Sequence, residues 1–154
     1  MSLKSNGNNW WNIHSYLRKK NIVVYFVHDP HCDTCRARLK GFAQDYRDWQ
    51  HLKTEVVAVL PNSRAELKSL GDELHLPYPL LSDVEGQARA AFTFDQLDQL
   101  RPPTVFAVDR MATLYYHELN DAADPWEEEK EVLNEMEFLE SRVLEGSEAR
   151  GELR

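Results

Sequence analysis

Only two cysteines occur among the 154 residues. Two sulfurs cannot build the several bridges of a disulfide-stapled secreted module. Long apolar stretches are missing too. No run approaches the ~20 residues that cross a bilayer, and the chain does not open on the basic, apolar and small-residue succession of a signal peptide. The expectation is a protein without a membrane partner, working in the cytoplasm unless an export signal was trimmed ahead of Met1.

A basic surplus is equally absent. The net charge is −8. Residues 1–117 carry 13 acidic and 14 basic side chains, whereas residues 118–154 carry 13 and 4, so the tail holds all the excess negative charge. Phosphate backbones find no complementary surface on such a chain, and nucleic acid is not expected as a ligand. With 42% apolar and 29% charged residues the composition is that of a globular domain. The length suits one domain with a two- or three-layer core.

Local patterns divide the chain. Residues 1–9 are polar and rich in Asn and Gly, and are expected to be disordered. Trp10 to Lys20 reads as an amphipathic helix with Trp10, Ile13, Tyr16 and Leu17 on one face. Ile22–Val27 is a β-branched and aromatic run, as in a strand buried on both faces. A long helix from Asp33 turns Leu39, Phe42, Ala43, Tyr46 and Trp49 inward. Glu55–Leu60 reads as a second buried strand, stopped by Pro61. Asn62 or Ser63 then caps a helix over 64–74 with Ala65, Leu67, Leu70 and Leu74 as core positions. Pro77–Asp83 is extended, and Ser82 or Asp83 caps a short helix through Phe92. Thr104–Val108 and Thr113–Leu119 read as an antiparallel pair about a turn at 109–112. A last helix, from Pro125 to about Glu145, carries Val132, Met136, Leu139 and Val143 as an apolar stripe that packs on the same chain. Alternating elements followed by a hairpin predict an α/β fold, a central mixed sheet flanked by helices.

Both cysteines sit in His31-Cys32-Asp33-Thr34-Cys35, at the junction of the first buried strand and the long helix. A Cys-x-x-Cys pair there can close into a disulfide and reopen. The first sulfur stands where helix amides and the helix dipole favour a thiolate. His31, when protonated, and Arg36 favour the thiolate as well, and Asp33 opposes it. That charge inventory predicts a moderately activated thiol and a moderately reducing couple. His28 and Asp29 lie closest to where a proton acceptor is needed during thiol exchange. The competing reading is zinc, because His28, His31, Cys32 and Cys35 are four potential ligands within eight residues. Structural zinc sites usually draw on two separated knuckles, so redox chemistry is expected ahead of a metal.

Three motifs in sequence resemble the thioredoxin-like superfamily, and within it the alkyl hydroperoxide reductase/thiol-specific antioxidant (peroxiredoxin-like, redoxin) branch. They are the strand leading into His31–Arg36, the segment Leu76-Pro77-Tyr78-Pro79-Leu80-Leu81-Ser82-Asp83 with Gly86 and Ala88–Phe92, and Pro103-Thr104-Val105-Phe106-Ala107-Val108-Asp109. The resemblance spans about residues 20–119. A thioredoxin-like domain over 10–119 and an acidic helix and tail over 120–154 follow from it. The chain departs from both parents. Where peroxiredoxins carry Thr three residues before the peroxide-attacking cysteine, Cys32 stands before Cys35, and Pro103 occupies the place of their later arginine. Where thioredoxins carry Trp before the first cysteine this chain has His31, and Ile22–Val27 holds no buried acid.

The resemblance implies a thiol–disulfide oxidoreductase with a role in antioxidant defence and cell redox homeostasis. It makes Cys32 the attacking thiol and Cys35 the resolving one, and Pro103 a cis-proline facing them. His31, Thr104, Arg36 and His28 are its supporting residues. It implies no resident cofactor or metal, an external thiol reductant such as thioredoxin or a small thiol, and a protein disulfide, small disulfide or hydroperoxide as substrate. The protein is expected as a monomer or homodimer. A thiol peroxidase is the alternative enzyme. A redox sensor or interaction protein working through its acidic C-terminal helix is the alternative of another class.

Overall fold

The computed structural model describes residues 2–7, 9–27, 29–91, 104–111, 113–118 and 125–149. Its centre is β3 (Asn21–Phe26), whose six residues are all buried. β3 pairs in parallel with β4 (Thr54–Leu60) and antiparallel with β6 (Thr104–Val108). β5 (Leu80–Ser82) joins the outer side of β4 in parallel, and β7 (Leu114–Glu118) the outer side of β6 in antiparallel register. β1 (Ser2–Ser5) and β2 (Trp10–Asn12) complete a seven-stranded sheet in the order β2-β1-β5-β4-β3-β6-β7.

Strand alternation splits the core into two layers. Val23, Tyr25 and Val27 face one side, packed with Leu39, Phe42, Trp49, Leu67, Leu70 and Met136. These come from α1 (Asp33–Gln44), α2 (Tyr46–His51), α3 (Arg64–Leu74) and α5 (Pro125–Ala149). Ile22, Val24 and Phe26 face the other side, with Leu3, Trp11, Leu81 and Phe106, and with Ala88 of α4 (Gln87–Ala91). The expected mixed sheet with flanking helices is therefore present.

The N-terminus differs from the sequence expectation. Residues 2–5 are a strand rather than disordered, and residues 10–12 pair with it instead of opening a helix, so Leu3 faces Trp11 across the hairpin. Lys4 also pairs with Ser82, which makes this hairpin an extension of the sheet beyond β5. The period is two: Trp11 is buried while Trp10 is 66% exposed, with the Lys4 ammonium 5.2 Å from its ring centre. Only a single 3₁₀ turn, Ile13–Ser15, remains of the expected N-terminal helix. Ile13, Tyr16 and Leu17 still pack on the core, as their spacing suggested.

The long helix from Asp33 breaks at Asp45, which leaves helical geometry at φ −96° and ψ 18°, and restarts as α2. α3 spans 64–74 as expected. Ser63 accepts from the Glu66 amide at 3.4 Å, which caps the helix, and its hydroxyl donates to the Glu66 carboxylate at 3.1 Å. Leu67 and Leu70 are buried on α3, whereas Ala65 is exposed. Asp83 receives the Ala88 amide at 2.8 Å and so holds the start of α4. On α5, Val132, Met136 and Leu139 join the core of the same chain together with Leu133. Val143 lies outside the described side chains.

Candidate active site

β3 delivers the chain to the site and α1 carries it away. After Val27, whose amide still bonds to the Val59 carbonyl at 3.0 Å, a tight loop is held by its own residues. Asp29 accepts from the His31 amide through its carboxylate (2.8 Å) and from the Cys32 amide through its carbonyl (3.3 Å). Arg36 reaches back to the Pro30 carbonyl at 2.9 Å. The same guanidinium grips the Glu73 carboxylate of α3 through two bonds, 2.9 and 3.1 Å. Arg36 thus ties the loop to α3. Its positive charge is largely matched by Glu73, rather than left facing the sulfurs.

Cys32 occupies the cap position of α1, with φ −72° and ψ 127°. Its carbonyl takes the first helical bond from the Arg36 amide at 3.0 Å, while its side chain does not cap the helix. The sulfur of this partly exposed residue therefore stands at the positive end of a twelve-residue helix. Cys35, one turn on, is fully buried. Burial first, and its hydrogen bond to Cys32 second, push the Cys35 thiol up to about 11. The backbone at Asp29 and the Tyr25 hydroxyl pull it the other way.

His31 is exposed beside Cys32. Thr104 begins β6 directly opposite Phe26, so β6 starts at the sheet end from which the cysteine loop leaves. His28 and Pro103 lie outside the described residues, as does Arg101. Among the described residues no three His, Cys, Asp or Glu side chains converge as a metal cluster.

Two residues at the site escaped the sequence reading. Tyr25 comes from β3, and Arg38, only 1% exposed, follows Cys35 by three positions on α1. The signal for Arg38 was its place on the buried stripe of α1, between Cys35 and Phe42. An arginine there reads as a surface residue until the helix is docked.

A thioredoxin-like sheet with a cysteine pair at the mouth of its first long helix defines the class: oxidoreductases that work through thiols. The AhpC/TSA family model matches residues 1–117, and the chain belongs to that family. It is similar to the ycf42 protein of Pyropia yezoensis, which carries a peroxiredoxin name. The two are 27% identical over 139 residues, 82% of this chain and 68% of the relative. Among solved structures it resembles the bacterioferritin comigratory protein of Xanthomonas campestris, with a TM-score of 0.77 at 12% identity over 91% and 92% of the two chains. It also resembles a secreted Mycobacterium tuberculosis disulfide oxidoreductase, with a TM-score of 0.70 at 15% identity over 88% and 93%.

Proposed function

We propose that the chain is a dithiol–disulfide oxidoreductase that cycles Cys32 and Cys35 between dithiol and disulfide. The observation that carries this reading is the asymmetry of the two sulfurs. Cys32 meets solvent at the helix mouth, while Cys35 is buried and holds its proton. The Cys32 thiolate attacks one sulfur of a substrate disulfide. A new S–S bond forms, the substrate's S–S bond breaks, and one substrate thiolate leaves. Cys35 then gives up its proton and attacks Cys32 Sγ, expelling the second substrate thiolate, which is protonated. Two electrons pass to the substrate. An external thiol donor, thioredoxin or a small thiol, restores the dithiol, as the reducing pools of the cytoplasm would allow.

In this reading Arg36 and His31 are supporting residues of the loop and Thr104 supports it from the start of β6, while Pro103 and His28 keep the supporting roles that the family resemblance implies. The test is a trapping experiment. Cys35→Ser should accumulate a mixed disulfide at Cys32, read by mass spectrometry, and Cys32→Ser should accumulate none. A mixed disulfide forming on Cys35 of the Cys32→Ser variant at the rate seen on Cys32 overturns the assignment.

A second reading, thiol peroxidase, is favoured by the family and by the alkyl peroxide reduction ascribed to the Xanthomonas campestris protein. Here a cysteine thiolate attacks the terminal peroxide oxygen, the O–O bond breaks, and the departing alkoxide is protonated to an alcohol. The resulting sulfenic acid condenses with the other thiol, releasing water and leaving the same disulfide. Stopped-flow oxidation of the reduced protein by hydrogen peroxide separates the readings. A rate far above that of a free thiolate makes it a peroxidase; a rate no faster, with rapid disulfide reduction, leaves it a disulfide reductase.

A further inference from the structure

We infer that Tyr25 donates to the sulfur of Cys35 when that thiol loses its proton, and that Arg38 polarises Tyr25 for this task. The pair serves the second, resolving half of thiol exchange. The inference rests on the Cys32–Cys35 reading above and assigns the group that makes its slower sulfur usable.

The geometry starts from the strand. Tyr25 shares the face of β3 that lies under α1, and neither it nor Cys35 has any exposed surface. Cys35 and Arg38 are three residues apart on α1 and therefore project from one side of it. The Tyr25 hydroxyl is buried and closes no hydrogen bond of full geometry among the described residues, although the Cys35 thiol and the Arg38 guanidinium lie within reach of it. Its neighbours are the Cys35 thiol and the Arg38 guanidinium, each of which acts on its titration. Burial, then the nearby Cys35, raise the phenol strongly, so it stays protonated and is a donor throughout.

A buried phenol whose hydroxyl is poorly satisfied is costly. The cost is removed once Cys35 becomes a thiolate, which offers the acceptor that the thiol offers poorly. The other groups near Tyr25 do not compete for this role. Tyr78, from the loop before β5, spends its hydroxyl on the Leu39 carbonyl at 2.5 Å. Glu129 of α5 acts on Tyr78 rather than on Cys35. Ile22–Val27 contributes no acid. Asp29 acts on Cys35 only through its backbone, and Cys32 becomes the sulfur under attack.

Of the protein's groups only Cys35 changes protonation in this step, and the proton it loses is taken up by the departing substrate thiolate through solvent. The Cys35 proton leaves, Tyr25 O–H turns to the bare sulfur, and the Arg38 cation beside the phenol oxygen strengthens that donor. The Cys35–Cys32 bond then forms as the bond from Cys32 to the substrate breaks. Tyr25 touches the reacting sulfur and is a catalytic residue. Arg38 acts through it and is a positioning residue.

The test uses the reduced full chain and an aromatic disulfide reagent whose two coloured thiols leave in succession. The first leaves when Cys32 attacks, the second when Cys35 closes the ring. Tyr25→Phe keeps the ring that packs 5.7 Å from Phe42. It should leave the first phase unchanged and slow the second about tenfold at each pH below the Cys35 value, as for a one-unit rise in that value. Arg38→Gln should slow the second phase, Arg38→Lys should restore part of the rate, and adding Arg38→Gln to Tyr25→Phe should slow it no further. A second phase at the wild-type rate in Tyr25→Phe overturns the inference, as does equal slowing of both phases. Release of only one coloured thiol by the wild type is a separate result, which overturns the exchange reading itself.

Discussion

Arg110 and Glu140 are joined by a two-pronged ion pair that fastens the turn between β6 and β7 to the tail helix. Arg110 Nε lies 3.1 Å from Glu140 Oε2, and the second guanidinium nitrogen bonds the other carboxylate oxygen. Asn21, at the start of β3, completes the clamp. It donates to Glu140 at 2.9 Å and to the Leu52 carbonyl at 2.8 Å, and accepts from the Arg110 amide at 2.9 Å. One carboxylate thus ties three parts of the fold together, far along the chain from one another.

Breaking that pair from one side leaves a largely buried charge without its counter-ion. Arg110→Ala should therefore lower stability by about 2–4 kcal/mol, less than a fully buried pair because some surface remains open. Urea denaturation measures it. In a double-mutant cycle with Glu140→Gln the two losses should fall short of adding. Additive losses would mean that the pair contributes nothing.

Glu129, on the buried side of α5, predicts a pH dependence. Burial and then the neighbouring Asp45 carboxyl push it up to about 8, against the pull of Lys130. The unfolded chain releases this proton near the ordinary carboxyl value, the folded chain only near 8. Stability should accordingly fall as pH rises across that interval and level off above it. Glu129→Gln should flatten this part of the profile of melting temperature against pH. An unchanged slope in the variant contradicts the assignment.

The tail helix should be required for folding, not only for assembly. Val132, Leu133, Met136 and Leu139 are buried against the same cluster as Phe42 and Trp49. At ~1.5–3 kcal/mol for each such side chain, their loss rivals the ~5–15 kcal/mol that holds a domain folded. Deleting 120–154 should give an insoluble or unfolded chain. Met136→Ala, a milder change, should cost about 2–5 kcal/mol in urea. A truncated chain that melts at the wild-type temperature contradicts the packing.

The ends of α3 offer two small changes of opposite sign. Ser63→Ala removes the cap on Glu66 and should cost about 1 kcal/mol. His75, which ends the helix at φ 53°, holds a left-handed conformation that costs a side chain about 1–2 kcal/mol. His75→Gly should stabilise by several tenths of a kcal/mol, after the added freedom of the unfolded glycine is counted. Thermal melts resolve both.

Much of the fold was legible because its signals are local. β3 and β4 announce themselves as apolar runs rich in β-branched residues, α3 by the cap candidates Asn62 and Ser63 ahead of its apolar spacing, and α5 by its apolar stripe. The N-terminal hairpin was not legible, because Trp10–Leu17 satisfies a helical spacing and an alternating one at once. Pairing of Lys4 with Ser82, across some eighty positions of sequence, settles the choice. Asp45 was hidden for a related reason. Nothing local in Gln44-Asp45-Tyr46 announces a break, yet α1 stops there and α2 restarts, and the buried Asp45 carboxylate meets Lys130 of α5 at 2.9 Å.

By itself the sequence determined where the two sulfurs lie along the chain, three apart at a strand-to-helix junction, since spacing and local propensity need no partner. It also determined the α/β alternation and the family, which rest on residues close together in the chain. Only the tertiary structure decided what each sulfur faces. Arg36 is drawn to Glu73 on another helix, and Tyr25 meets Cys35 and Arg38 because α1 docks on β3. Burial, charge pairing and the acidity of a thiol depend on what lies a few ångströms away in space, and packing alone brings those groups together.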